Sequence, residues 1–229
     1  MIVDFHTHIL PGMDDGSADP AESAAMLAEE ARQGVDLVVL TPHFYATENS
    51  PRQFLARRSA AYQRLMQVIR PEFPQLRLGA EVQYFEGMSR AESLDALRVE
   101  GTPLLLLEMP FSNWSGRTVS EVLELNDRQG MQVVLAHVER YLSMQREEVW
   151  RTFAENGVLM QASASAFRSW GKRRKIRSMM RDGMIQFFGS DCHNMDDRPP
   201  NLNAAYRYVD FDRDTLHDIF NGKPNKRSV

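Results

Sequence analysis

A chain of 229 residues, 43% of them hydrophobic and 25% charged, has the apolar mass for a sizeable core and the length of one α/β domain rather than two small ones. Its net charge of −4 excludes a general nucleic-acid binder, whose footprint would be basic. One cysteine rules out an internal disulfide, no run reaches the roughly 20 apolar residues of a membrane span, and no basic-then-apolar leader follows Met1; a single cytoplasmic domain over 1–229 is expected.

In chain order, an apolar run over 2–5 comes first and ends in His6-Thr7-His8. Alternate side chains of a strand point the same way, so the two imidazoles project together. A polar turn with Asp14-Asp15-Gly16 follows; one carboxylate is expected to face the histidines and the other to cap the turn. Asp19-Pro20 supplies an N-cap and a proline at the first helical position, which predicts a helix over 20–33 stopped by Gly34. The next run, 37–41, ends in His43 and precedes a helix over 51–69. Runs over 76–80 and 104–107 end in Glu81 and Glu108. A helix over 117–129 is closed by Gly130, and the run over 132–136 ends in His137. A helix over 147–155, a run over 158–161 and a helix over 172–181 come next. The last run, 185–189, ends in Asp191 and His193, with two helices expected around 201–208 and 212–220.

Short continuous apolar strands separated by helices imply a parallel sheet buried on both faces. Seven such units predict a closed or nearly closed seven-stranded (β/α)7 barrel; an open doubly wound sheet is the alternative. Six of the seven runs end in His, Asp or Glu, and five of the six histidines stand there, His217 being the exception. The carboxyl ends of barrel strands converge on one face, where active sites are built. That convergence points to a metal centre made of His6, His8, Asp15, His43, Glu81, Glu108, His137, Asp191 and His193. Nine ligands exceed what one ion takes, so two or three ions are expected, with carboxylates such as Glu81 as bridges. Imidazole with carboxylate suits Mn²⁺, Fe or Zn²⁺ alike.

These residues resemble the PHP superfamily of metal-dependent phosphoesterases, which opens on His-x-His and closes on Asp-x-His. Asp14-Asp15-Gly16, Gly79-Ala80-Glu81, His137-Val138-Glu139-Arg140-Tyr141 and Ser190-Asp191-Cys192-His193-Asn194 with Arg198-Pro199-Pro200 are similar to one branch of it. That branch is the bacterial protein-tyrosine phosphatases of capsule and exopolysaccharide operons, the CpsB/CapC family. The resemblance implies a distorted TIM-like PHP barrel and assigns the nine ligands to a trinuclear site with preference for Mn²⁺. It makes Arg140 and Arg198 the phosphate-binding arginines, and the phosphotyrosine tail of a polysaccharide-synthesis tyrosine kinase the substrate. Thr41-Pro42 before His43 departs from the family pattern without touching a ligand, and an end soon after the last helix also departs from it and leaves open whether the chain forms a homo-oligomer.

In that chemistry a metal-bound hydroxide attacks phosphorus, and the arginines match the phosphoryl oxygens. A phenol with a pKa of about 10 leaves with little help from an acid, and His43 or Asp15 is the candidate proton donor. A small-molecule phosphatase of the histidinol-phosphate kind is the alternative. Cys192 and Arg198 also have the Cys-x5-Arg spacing of thiol-dependent phosphatases, but 193–197 contains two carboxylates and no glycine, so Cys192 is expected to be a buried small residue. Lys172-Arg173-Arg174-Lys175 reads as a solvated helix face with the capacity to bind an acidic tail. Phe44, Tyr45, Phe111, Trp114 and Tyr141 are candidates either for packing or for the rim of the site.

Overall fold

The computed structural model describes residues 1–206 together with Tyr208 and Phe220. Nine parallel strands alternate with helices: β1 (Val3–Thr7), α1 (Pro20–Arg32), β2 (Leu37–Leu40), β3 (His43–Phe44), α2 (Pro51–Met66), β4 (Gln75–Leu78), β5 (Glu81–Gln83), β6 (Leu104–Glu108), α3 (Gly116–Asn126), β7 (Gln132–Leu135), α4 (Glu147–Glu155), β8 (Leu159–Ser163), α5 (Trp170–Arg181), β9 (Phe187–Gly189) and α6 (Asn203–Tyr206). The expected helix over 212–220 lies outside the described residues apart from Phe220.

Local chemistry sets the helix starts. Asp19 accepts hydrogen bonds from the amides of Ala21 and Glu22 ahead of α1, and Ser50 with Gln53 forms a capping box on α2. Gly34 at φ +79° ends α1, a conformation that costs glycine nothing.

The strands pair as β1-β2-β4 in one sheet and β3-β5-β6-β7-β8-β9 in the other. Among the described residues seven apolar runs give nine strands, because a second short strand follows two of the runs. Pro42, which has no N–H to donate, separates β2 from β3, and Gly79-Ala80 separates β4 from β5. The sheets curl. The amide of Asp191 donates to the His6 carbonyl and that of His8 to the Cys192 carbonyl, both at 2.9 Å, which ties the last run back to the first.

Alternation along the strands splits the core in two. Val3, Phe5, Leu37, Val39, Leu104, Leu106, Val134 and Phe187 form one cluster on the inner face of the curl. Val38, Leu40, Leu105, Leu107, Val133 and Leu135 pack with Leu27 of α1, Phe54 of α2, Val122 of α3 and Phe153 of α4 in the other. Strict alternation fails in β1, whose pairing with β2 slips between Asp4 and Thr7. This bulge lets Asp4 reach Glu30 of α1 while His6, two residues on, turns to Glu81 of β5. No helix among the described residues is long and apolar enough to cross a membrane.

Candidate metal centre

All nine ligands expected from the sequence come together in one connected cluster at the carboxyl ends of the strands. The Nε2 atoms of His6 and His8 lie 3.0 Å apart. Glu81, the first residue of β5, holds Oε2 at 3.2 Å from His6 Nε2, 3.3 Å from His8 Nε2 and 3.0 Å from His43 Nδ1. Its other oxygen is 2.9 Å from His137 Nε2, which Glu108 at the end of β6 approaches to 3.4 Å. Asp15 Oδ1 sits 3.6 Å from His43 Nε2 and 3.5 Å from His193 Nε2. Asp191 Oδ1 is 3.7 Å from the Nε2 atoms of both His6 and His8 and from His193 Nδ1. Three overlapping groups, His8–Asp15–His43–His193, His6–His8–Glu81 and His43–Glu81–Glu108, each keep one donor atom per residue within 4.8 Å of the others.

A second ring of residues aims these side chains. Asp14 Oδ2 accepts from His8 Nδ1 at 2.7 Å and from the His43 amide at 2.8 Å, while Oδ1 accepts from the Gly16 amide at 3.0 Å. Asp14 thus caps the turn and also braces His8 from behind, while Asp15, with its side chain 66% exposed, approaches the Nε2 atoms of His43 and His193. Gly16 is held so tightly that a Cβ there would lie 2.2 Å from the His8 carbonyl oxygen. Gln161 accepts from the His137 amide at 2.7 Å and lies 3.4 Å from His6 Nδ1. It stands on the one run that ends in no ionisable residue, and that place was the signal in the sequence that went unread. His137 at φ +32° and Asp191 at φ +55° are non-glycine residues in left-handed backbone, a cost that surrounding structure must offset and that collects at functional sites.

The electrostatics call for cations. Burial disfavours the His8 imidazolium, but hydrogen bonds to Asp14 and Glu81 outweigh it and push its pKa up to about 10. His137 rises in the same way to about 9 against its burial, through Glu108 and Glu81. Burial would raise Glu81, yet the imidazoles of His6, His137 and His43 hold it well below the carboxylate range. His193 falls to about 4 through burial and the charge on His8. Glu81 Oε2, His43 Nδ1 and His193 Nε2 are buried and make no well-directed hydrogen bond among the described residues. Lone pairs that converge in this way, in a site that otherwise gathers protons as its positive charge, fit divalent cations held by imidazole and carboxylate.

Arg140 and Arg198 flank this cluster. Arg140 follows His137 in a 3-10 turn over Val138–Arg140 and bonds to Asp191 Oδ2, while Arg198 Nη2 lies 2.8 Å from Asp191 Oδ1. Their side chains are 30% and 40% exposed, so both retain faces open to solvent. The segment after Cys192 is not an anion cradle. The amides of His193 and Asn194 donate to the Arg198 carbonyl, and those of Asp196, Asp197 and Arg198 donate to Asn194 Oδ1. Cys192 is fully buried, and burial raises its thiol pKa well above 9, which leaves no thiolate to attack. Trp114 and Tyr141 are packed into the core, the Tyr141 hydroxyl donating to the Met109 carbonyl at 2.8 Å. Phe44 is likewise core; Phe111 is 57% exposed, and Tyr45 stacks on His43 with ring centroids 5.1 Å apart.

The family described as capsular polysaccharide synthesis, CpsB/CapC, matches residues 2–227. The tyrosine-protein phosphatase CpsB of Streptococcus agalactiae serotype III (strain NEM316) is 28% identical over 236 residues, covering 96% of this chain and 95% of that protein. The tyrosine-protein phosphatase YwqE of Bacillus subtilis (strain 168) is 30% identical over 205 residues, covering 86% of this chain and 79% of its own. Among solved structures, one from the work on YwqE of Bacillus subtilis and CpsB of Streptococcus pneumoniae, described there as unique metal-dependent tyrosine phosphatases, shares the fold. Its TM-score is 0.79 at 21% identity, with 96% of this chain and 94% of that one covered.

Proposed function

The chain belongs to the CpsB/CapC family, and we propose that it is a metal-dependent protein-tyrosine phosphatase, a phosphoric monoester hydrolase of capsule or exopolysaccharide synthesis. The observation that carries this reading is the Glu81 carboxylate, which has the side chains of His6, His8, His43 and His137 within 3.3 Å, beside two arginines with open faces.

Two or three divalent ions, Mn²⁺ first among them, would be held by His6, His8, Asp15, His43, Glu81, Glu108, His137, Asp191 and His193. Such ions, when bound, make water nucleophilic at neutral pH and neutralise charge on the phosphoryl oxygens. The chain's own residues do the rest. Arg140 and Arg198 grip the phosphoryl group with planar, permanently charged donors. Asp191, between them, holds both guanidinium groups at the rim. Whichever of His43, 13% exposed at its side chain and stacked under Tyr45, and Asp15 is left free by the ions donates a proton to the departing phenolate. Phe111 and Tyr45 offer ring faces to the tyrosine. The substrate on this reading is the phosphotyrosine tail of a cytoplasmic-side tyrosine kinase, and the protein acts in the cytoplasm. On this reading, with β2 and β3 counted as one strand and β4 and β5 as another, the curled sheets amount to a distorted seven-stranded barrel over a single domain.

The test is hydrolysis of a phosphotyrosine peptide and of para-nitrophenyl phosphate by chelated protein with and without added Mn²⁺, with histidinol phosphate as the competing substrate. Activity restored by Mn²⁺ on the peptide is expected; preference for histidinol phosphate, or full turnover after chelation, overturns the reading. Arg198→Ala should raise KM for the peptide and leave metal content unchanged.

A further inference from the structure

Helix α5 carries six cations, Lys172, Arg173, Arg174, Lys175, Arg177 and Arg181, and no carboxylate, in a chain whose net charge is −4. Among the described residues no ion pair engages any of the six. Arg173 is occupied otherwise, with Nη1 3.1 Å from the Tyr208 hydroxyl and its guanidinium 4.9 Å above that ring. The opposite face of the helix, Ile176 and Met179, is buried in the core.

Trp170, Arg173, Arg174, Arg177 and Arg181 line a groove of about 340 Å³. Their spacing runs i, i+3, i+4, i+7, i+11, a single stripe along the helix. Trp170 is 68% exposed, and Arg174 Cζ lies 5.9 Å from its ring centroid. At a rise of about 1.5 Å per residue the stripe is roughly 16 Å long, the length of about five residues of extended peptide.

As an isolated element this helix is electrostatically unfavourable. Like charges at i, i+3 and i, i+4 repel, and Lys172, Arg173 and Arg174 crowd the end where the helix dipole is already positive. A bound polyanion relieves both. Arginine forks match carboxylate and phosphate oxygens, and an exposed indole is a typical anchor for a partner chain. The helix begins after the carboxyl end of β8, so its first turn belongs to the face on which the ligand cluster opens.

We propose that the Trp170–Arg181 stripe is a docking groove for an extended acidic peptide segment, the stretch that flanks the phosphotyrosine being hydrolysed. This rests on the phosphatase reading for its substrate, while the groove itself can be tested without turnover. Arg173 is left in place because it braces Tyr208, and Arg174→Gln/Arg177→Gln/Arg181→Gln is the informative variant. On para-nitrophenyl phosphate its kcat/KM should stay within about twofold of the parent. On a phosphotyrosine peptide flanked by glutamates its KM should rise about tenfold, the sum of three exposed charge contacts, with no change on the same peptide flanked by serines. High salt should erase the difference.

Fluorescence anisotropy with a glutamate-rich peptide lacking phosphotyrosine provides the second arm, and the parent should bind it more tightly than the variant. Failure of the parent to hydrolyse any phosphotyrosine substrate would overturn the phosphatase reading, and the anisotropy would still decide the groove. Equal affinity of parent and variant for the acidic peptides overturns the groove, as does an equal loss on para-nitrophenyl phosphate. Binding of the parent to phosphatidylserine vesicles but not to the peptide would overturn it in favour of a membrane surface.

Discussion

Asp14 and His8 are joined by a 2.7 Å hydrogen bond between Oδ2 and Nδ1, and the other nitrogen of the same ring faces Glu81 Oε2 at 3.3 Å. The bond fixes which nitrogen of His8 is presented to the cluster. The same carboxylate oxygen accepts from the His43 amide at 2.8 Å, so one side chain orients ligands from two different runs. Partners of this kind are worth about 10- to 100-fold in metal affinity.

Asp14→Ala should therefore lower affinity for Mn²⁺ by about 10- to 100-fold while the far-ultraviolet circular dichroism stays unchanged. Isothermal titration with Mn²⁺ reads this directly, and parental affinity in the variant would show that Asp14 only caps the turn.

A Cβ at Gly189 would meet His6 Cβ at 2.5 Å and the His6 amide nitrogen at 3.0 Å. Gly189→Ala must push β9 away from β1, at a cost of about 1–3 kcal/mol for overpacking. A lower Tm together with lost metal content is expected, since His6 moves with the backbone. A variant with parental Tm and full metal content would count against this close approach.

Cys192 lies 3.9 Å from Glu30, buried away from solvent. Cys192→Ala should keep kcat on an aryl phosphate within about twofold, with a small loss of stability from the lost packing. The parent should also survive iodoacetamide. A dead variant that retains its metal would restore the thiol mechanism.

Glu30 is buried in α1 beside Asp4, and burial first, then the Asp4 carboxylate, push its pKa well above 4.5. The folded chain keeps a proton there that the unfolded chain releases near the ordinary carboxylate pKa. Stability from this group is complete below that unfolded value and falls as pH rises through it toward the folded pKa. Glu30→Gln should raise Tm at pH 8, with the gain shrinking toward pH 4. Parallel Tm profiles across that range would rule the effect out.

The cluster of candidate donors was legible because of how metal centres use strands. A polar residue that ends an apolar run has little reason to be there except at the mouth of a sheet, and His43, Glu81, Glu108 and His137 all stand so. The helix over 147–155 was equally plain, since acidic residues open it and its apolar face is uninterrupted. The short strands after Pro42 and Gly79-Ala80 were harder to read, because β3 and β5 open on the polar residues His43 and Glu81 that end the apolar runs, and only the change of pairing partner reveals a second strand.

Spacing and residue type alone therefore pointed to a parallel α/β architecture and to eight candidate donors at the ends of apolar runs, with an aspartate of the first turn as the ninth, since both follow from short-range periodicity. Tertiary structure alone decided that Asp14 braces His8 through Nδ1 while Asp15 approaches His43 and His193, that Gln161 braces His6 and His137, and that the amides after Cys192 are consumed by Asn194 and Arg198. It also decided that Asp4 and His6 part company at a bulge. Each of these depends on contact between segments whose relative placement is set by core packing and sheet register. No local pattern carries that information, because the energy that selects the arrangement is shared across the whole buried surface.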